Sequence, residues 1–487
     1  MGAGGAAGRR RRPPPSSTTP WVAGMVMVGA LAVLAWVSAV MRVLRGDMVE
    51  EEEDTWEGRG GLWGGTGGYE DIVDVLATRD MKSMREREQA TRWGGGREGV
   101  LDMQGGTTSP NLHVFYYAWY GNPEVDGEWR HWNHARISSW REGDAGKHST
   151  ARHKPELDDV GASFFPMLGA YSSLDPVVLA THMQWVARSG AGVLVLSWYP
   201  PGLADEEGKD ADLAAPSVLD AAAEAGLAVA FQLEPYVGRT AKSVAKDLAY
   251  LSAAYGEHRG LFREHATGLP MVYVYDSYRT SAEEWAAVLL PKGKHTVRGT
   301  SADALVIGLL LWTKDRESIV SSGFDGAYTY FASEESKESA SHASHWADLA
   351  DFYADHGLLF IPSVGPGYDD EDVRPWNGVA TRKRKEGGRF RASLEAARDA
   401  DPLFVSVTSF NEWHEGTQIE PAVPKQRSKQ AKPAGAWPAS DFRERYQDYG
   451  GHGPFFYLDT LREVLLPWAR RAGDGTPEQR SRELRPS

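Results

Sequence analysis

The 487-residue chain has no cysteine, which excludes disulfides, thiolate metal sites and a cysteine nucleophile. Its stability has to come from packing. It also has no Asn-x-Ser/Thr site, so glycosylation gives no evidence about membrane sidedness. Positive charge is in short supply: 53 Lys and Arg stand against 67 Asp and Glu, a net charge of −14, which argues against general attraction to a nucleic acid backbone. No nucleic acid partner is expected. Neither G-x-G-x-x-G nor G-x-x-x-x-G-K-[ST] stands at a strand-to-helix junction, which sets aside a nucleotide-binding doubly wound sheet.

Long apolar runs are scarce too, and the one that exists is informative. Trp21 to Met41 carries no charge and, at about 1.5 Å per residue, is long enough for a hydrocarbon core of roughly 30 Å. It exceeds the apolar region of a cleaved signal peptide, about 7–15 residues, and runs into Arg42 and Arg45, so it reads as an uncleaved signal-anchor. Arg9 to Arg12 precede it and the acidic run Glu50 to Asp54 follows, which puts the N-terminus in the cytosol and the rest in the lumen. The predicted organisation is a cytosolic tail (1–20), a transmembrane helix (21–41), a Gly-rich lumenal stem (42–110), a catalytic domain (111–471) and a loose tail (472–487).

From Asn111 onward, apolar runs recur at His113 to Ala118, Gly192 to Trp198, Leu227 to Leu233, Met271 to Tyr275, Ala304 to Leu310, Gly326 to Phe331, Leu358 to Val364 and Leu403 to Thr408. They are nearly continuous Val, Leu, Ile, Phe and Tyr, the pattern of parallel strands buried on both faces. Helical patterns separate them at Pro176 to Ser189, Pro216 to Ala225, Ala241 to Tyr255, Ser281 to Leu290 and His342 to His356, and another covers Phe455 to Arg470. Eight such alternations predict an α/β fold, a (β/α)₈ TIM barrel. Lys425 to Lys432 and the Pro/Ala/Gly-rich residues after it read as an exposed insertion.

Barrels of this kind carry their chemistry where strands end. Here those ends read Tyr116-Tyr117-Ala118-Trp119-Tyr120, Trp198-Tyr199-Pro200-Pro201, Gln232-Leu233-Glu234-Pro235-Tyr236, Tyr328-Thr329-Tyr330 and Asn411-Glu412-Trp413-His414-Glu415. Aromatic faces pack on the C–H surfaces of sugar rings while carboxylates and amides take the hydroxyls, so the combination points to carbohydrate. Glu412 and Glu415, three residues apart after a buried strand, are suited to share one pocket as acid and base, the pair that glycosidic cleavage requires. In isolation the same spacing describes a solvated helix face. Zinc is not predicted, since H-E-x-x-H would need histidine where Gln418 stands, and no cofactor is expected. His113, His131, His134 and His182 read as structural or solvated rather than catalytic.

Over Asn411-Glu412-Trp413-His414-Glu415-Gly416-Thr417-Gln418-Ile419-Glu420 the sequence resembles glycoside hydrolase family 99, with supporting matches at Phe115 to Pro123, Ser197 to Pro201, Leu233 to Tyr236, Asp325 to Tyr328 and Arg374-Pro375-Trp376-Asn377. The resemblance implies a (β/α)₈ fold, a Golgi type II protein, and endo-acting α-1,2-mannosidase activity on glucosylated high-mannose N-glycans with retained configuration. It assigns the position of Glu412 to the base that deprotonates the substrate's own 2-hydroxyl, giving a 1,2-anhydro sugar, and that of Glu415 to the acid and later base. It implies sugar contacts at Tyr117, Trp198 or Tyr199, Glu234, Tyr328 or Tyr330, Arg374 and Asn411. Tyr199 stands where bacterial endomannanases carry Trp, which favours a glucose-bearing substrate.

Two other readings stay open on sequence. Asp370-Glu371-Asp372 has the D-x-D form that holds the metal of a sugar nucleotide, which would suit a lumenal glycosyltransferase. The aromatic strand ends alone would suit a carbohydrate-binding protein without turnover.

Overall fold

The computed structural model describes residues 108–473, apart from 140–146, 204, 206, 209–210, 333–335 and 433–441. The predicted span and all but the last three residues of the predicted stem (42–110) lie outside the described residues, as does most of the C-terminal tail; the first strand begins at Ser109, two residues ahead of the expected domain boundary at 111. Among the described residues no helix is long and apolar enough to cross a membrane.

Nine parallel strands form one sheet: β1 (Ser109–Tyr116), β2 (Ala191–Trp198), β3 (Ala228–Leu233), β4 (Met271–Val274), β5 (Leu305–Leu309), β6 (Gly326–Tyr328), β7 (Leu359–Ile361), β8 (Ser363–Val364) and β9 (Val405–Val407). The order is β7-β6-β5-β4-β3-β2-β1-β9-β8. Its two ends, β7 and β8, are separated in sequence by Pro362 alone, so a single interrupted strand pairs with β6 on one side and β9 on the other and brings the sheet round on itself. Pro362 has no N–H to give the ladder, but its carbonyl still accepts from the Ser406 N–H at 3.1 Å. Each predicted apolar run overlaps a strand, β1 starting four residues ahead of its run and β2 one, and only the seventh is split. This is the expected TIM-barrel architecture.

Among the described residues, eight helices of two turns or so and longer follow the strands around the outside, besides the single turn Pro123–Asp126: α1 (Pro176–Ser189), α2 (Ala215–Glu224), α3 (Ala241–Tyr255), α4 (Ala282–Leu289), α5 (Arg316–Ser322), α6 (Trp346–Asp355), α7 (Gly388–Asp399) and α8 (Phe456–Gly473). α1 shows why these segments fold where they do. The Asp175 carboxylate accepts the Val177 N–H at the N-terminus, Pro176 occupies the first turn, Gly190 ends the helix at φ 85°, and Val178, Leu179, His182, Met183 and Val186 make one buried stripe. α5 and α7 were not among the predicted helices. α7 is mostly charged or small and buries only Phe390, Leu394 and Ala397.

Strand alternation separates two cores. Outward residues such as Tyr116 meet the helices, its hydroxyl lying 2.9 Å from His182 Nδ1 on α1. Inward residues fill the barrel with rings: Phe115 lies 5.6 Å from Tyr273 and 5.8 Å from Tyr328, and Tyr273 lies edge-on to Tyr328 at 5.0 Å. The barrel is plugged beneath its C-terminal mouth.

One expectation is corrected here. The described part of the insertion is not wholly exposed: Arg427 is buried, donates to Asp372 at 2.6 Å and to the Ala162 carbonyl at 2.7 Å, and stacks on Tyr446. Burial of an arginine requires such pairing, and Asp372 and Asp159 supply it.

Candidate active site

The acidic pair sits on the turn after β9, and bonds from several directions fix that turn. Ser409 Oγ accepts the Glu412 N–H at 2.8 Å, Glu412 Oε1 accepts the His414 N–H at 3.0 Å, and the Glu415 carbonyl accepts the Asp369 N–H at 2.8 Å. Gly416 follows at φ 61°, where a Cβ would lie 2.8 Å from the Asp369 carbonyl oxygen, so glycine is required. Glu412 is buried and Glu415 partly buried. The turn is tied to the segment after β1: the Asn411 side chain accepts the Tyr117 N–H and donates to the Tyr117 carbonyl, both at 2.8 Å, and Tyr120 donates to the Asn411 carbonyl at 3.0 Å.

Around the carboxylates the structure gathers several of the predicted residues. The Tyr117 and Tyr330 hydroxyls hydrogen-bond to each other. Burial, with the neighbouring Glu412 and Glu415 charges, pushes both phenols well above their ordinary range, so they stay protonated and keep a hydrogen to donate. Glu234, at the end of β3, accepts from Ser197 at 2.8 Å and Gln232 at 2.6 Å, and burial raises its carboxyl to about 7 despite those bonds. Its charge also acts on the Tyr117 phenol. Arg374 donates to Asp370 at 3.1 Å and lies in the field of Glu415.

The alternatives between neighbours separate by strand phase. Trp198 points away from the cleft: it is fully buried, donates to Asp212 at 2.8 Å and stacks on Tyr250 of α3. Ser197 faces inward to Glu234, and Tyr199, just past the strand, is partly buried at the mouth. Tyr328 belongs to the ring plug one level below Tyr330. Asn411 has its amide committed to Tyr117, so it is the clamp that aligns the β1 segment with the acidic turn.

Sequence reasoning missed Tyr275, whose ring lies 4.9 Å from Tyr330 and whose phenol, raised chiefly by burial, also feels Glu415. It missed Tyr368, which donates to Asp370 at 2.9 Å and likewise feels Glu415. Both are aromatics at or beyond strand ends, the same signal that marked Tyr117. His414 is a wall residue: Nδ1 lies 2.6 Å from the Gly161 carbonyl, and burial beside His134 and His131 holds the imidazole well below its ordinary range, hence neutral. The D-x-D carboxylates are engaged within the protein, Asp370 by Arg374, Asn377 and Tyr368, and Asp372 by Arg427. Among the described residues no group of three or more His, Asp or Glu is arranged to hold a metal ion.

Two carboxylates on one turn, near protonated phenols, a charged arginine and a third carboxyl raised towards neutrality, are an arrangement chemically capable of proton transfer. Comparisons with known proteins give the family. The description "Glycosyl hydrolase family 99" matches residues 107–465. A glycoprotein endo-α-1,2-mannosidase of Rattus norvegicus is 43% identical over 355 residues, covering 72% of this chain and 73% of its own length. A glycoprotein endo-α-1,2-mannosidase-like protein of Danio rerio is 44% identical over 362 residues, 74% of this chain and 77% of its own. The solved structure of the GH99 endo-α-mannosidase from Bacteroides thetaiotaomicron has a TM-score of 0.66 at 34% identity, covering 76% of this chain and 100% of that one. The chain belongs to glycosyl hydrolase family 99 and is a glycoside hydrolase.

Proposed function

We propose that this hydrolase is a retaining endo-α-1,2-mannosidase that cuts glucosylated high-mannose N-glycans, releasing the glucose-capped mannose in one piece. The observation that carries the reading is the placement of Glu412 and Glu415 on one turn, with both charges acting on the paired phenols of Tyr117 and Tyr330. Glu412 removes the proton from the substrate's 2-hydroxyl, and that oxygen attacks C1 as the glycosidic C1–O bond breaks. Glu415 gives its proton to the departing oxygen. Water then opens the 1,2-anhydro ring at C1, Glu415 takes the water's proton and Glu412 returns its own to O2, so two inversions leave the configuration unchanged. No covalent bond to the protein forms, unlike the usual retaining route.

Tyr117, Tyr199, Glu234, Tyr330 and Arg374 are proposed to hold the sugars, with the phenols and guanidinium donating and Glu234 accepting or donating according to its proton. The charge-free run Trp21 to Met41 supports a single-pass type II placement in the secretory pathway with the barrel in the lumen, and the family resemblance favours the Golgi. Incubation with a glucosylated high-mannose glycan, followed by mass spectrometry, tests the reading: a glucosyl-mannose oligosaccharide is expected, and release of single glucose units would contradict endo action. A substrate lacking the 2-hydroxyl of the mannose at the cleaved bond should not turn over, and its turnover would rule out the anhydro route.

A further inference from the structure

Against the residues that follow the acidic turn stands a cation that neither the motifs nor the proposed chemistry uses. Arg384, in the segment between β8 and α7, is only 9% exposed. Its Nη2 donates to the Gly416 carbonyl at 2.9 Å and to the Gln418 carbonyl at 2.7 Å, the residues that carry the chain away from Glu415. Its guanidinium lies over three aromatic rings, 4.4 Å from Phe164, 4.6 Å from Tyr457 and 5.0 Å from Tyr449. Nε and Nη1 have no hydrogen-bond partner among the described residues, which leaves the rings as the surroundings of that half of the group.

The rings come from distant parts of the chain: Phe164 from the β1–α1 connection, Tyr449 from the segment before α8, and Tyr457 from α8 itself. Arg384 thus gathers three elements and transmits their fixed position to two carbonyls of the catalytic turn. The Asp369 N–H holds the Glu415 carbonyl as well, so the chain is fixed at Glu415 and again just beyond it, at Gly416 and Gln418. One nitrogen, Nη2, reaches both carbonyls while the flat face of the group lies on the rings; a lysine ammonium keeps the charge but has no planar face to stack.

We infer that Arg384 is a positioning residue for the acid/base turn, holding Glu415 at the angle proton transfer requires without touching the substrate. The inference rests on the proposed hydrolase reading. Misplacement of a reacting group by about 1 Å costs on the order of 100-fold in rate, so a loosened turn should appear in kcat rather than in substrate affinity.

The test uses the full-length chain and compares kcat and KM on glucosylated high-mannose glycan for wild type, Arg384→Lys and Phe164→Leu, with thermal unfolding of each. Arg384→Lys keeps the charge and is expected to lower kcat by about tenfold to 100-fold while KM stays within about twofold. Phe164→Leu removes one ring and no hydrogen bond, and is expected to give a smaller fall in kcat, again at constant KM. Wild-type kcat in Arg384→Lys, or a change confined to KM, would overturn the inference. Should Arg384→Lys fail to fold, an unchanged kcat in folded Phe164→Leu would overturn it equally. A wild-type chain that does not cut the glycan would instead sink the hydrolase reading, a separate result.

Discussion

At the scale of single residues, the cleft is defined by which way neighbouring side chains point. Trp198 and Tyr199 are adjacent in sequence, yet Trp198 donates to Asp212 behind the barrel wall while Tyr199 stands at the mouth. Trp198→Phe should therefore lower stability by about 1.5–3 kcal/mol, the usual effect of losing a buried hydrogen bond to a carboxylate, and leave KM unchanged, whereas Tyr199→Ala should raise KM. Denaturant midpoints and steady-state kinetics separate the two. Glu234 gives a prediction in pH. Burial raises its folded-state value from 4.5 to about 7, so the folded chain holds the proton more tightly than the unfolded one. Its contribution is fully present below about pH 4.5 and is lost as pH rises through about 7. Relative to Glu234→Gln, wild-type stability should fall across that window by up to about 3 kcal/mol, measured as unfolding midpoints against pH.

At the scale of elements, what sequence conveyed followed from what each segment buries. All eight apolar runs overlap strands because parallel strands covered on both faces must be apolar almost throughout. The split between β7 and β8 depends on one proline whose missing N–H breaks the ladder, a feature that a hydropathy pattern does not register. α7 escaped prediction because it buries only three side chains and is otherwise polar. The acidic pair was legible from its place after a buried strand, but the clamp role of Asn411 was not, since it depends on Tyr117 brought 294 positions along the chain to its side. The contact of β1 with β2 supplies a test. A Cβ at Gly192 would lie 2.5 Å from the Ser109 carbonyl oxygen, a collision that requires the strands to shift. Gly192→Ala should cost about 1–3 kcal/mol by chemical denaturation, with the folded fraction still active.

At the scale of the whole molecule, the loops above the barrel are braced by charges that no local pattern reveals. Lys425 to Lys432 reads as a solvated basic stretch, yet Arg427 is buried against Asp372, 55 positions away in sequence, while Arg443 pairs with Asp369 and Glu371. These ion pairs hold the 369–372 segment, which in turn grips the Glu415 carbonyl. Arg427→Gln removes the nearest cation from buried Asp372, leaving it Arg443 at 3.8 Å, while Asp159 keeps His153; it should destabilise the barrel by about 1–3 kcal/mol, read from the urea midpoint. The same long-range assembly brings Tyr117, Glu234, Tyr330 and the acidic turn to one mouth.

That mouth has one direct test, which separates the two carboxylates by the leaving group they face. On the natural glycan, Glu415→Gln should lose about 10²- to 10⁴-fold in kcat, the range of a general acid, and Glu412→Gln should be comparably impaired. On an aryl glycoside of the same glucosyl-mannose, whose leaving group needs no proton, Glu415→Gln should recover its first step and Glu412→Gln should not. Recovery by Glu412→Gln alone would reverse the two roles, and full activity of both variants on the natural glycan would remove this turn from the chemistry.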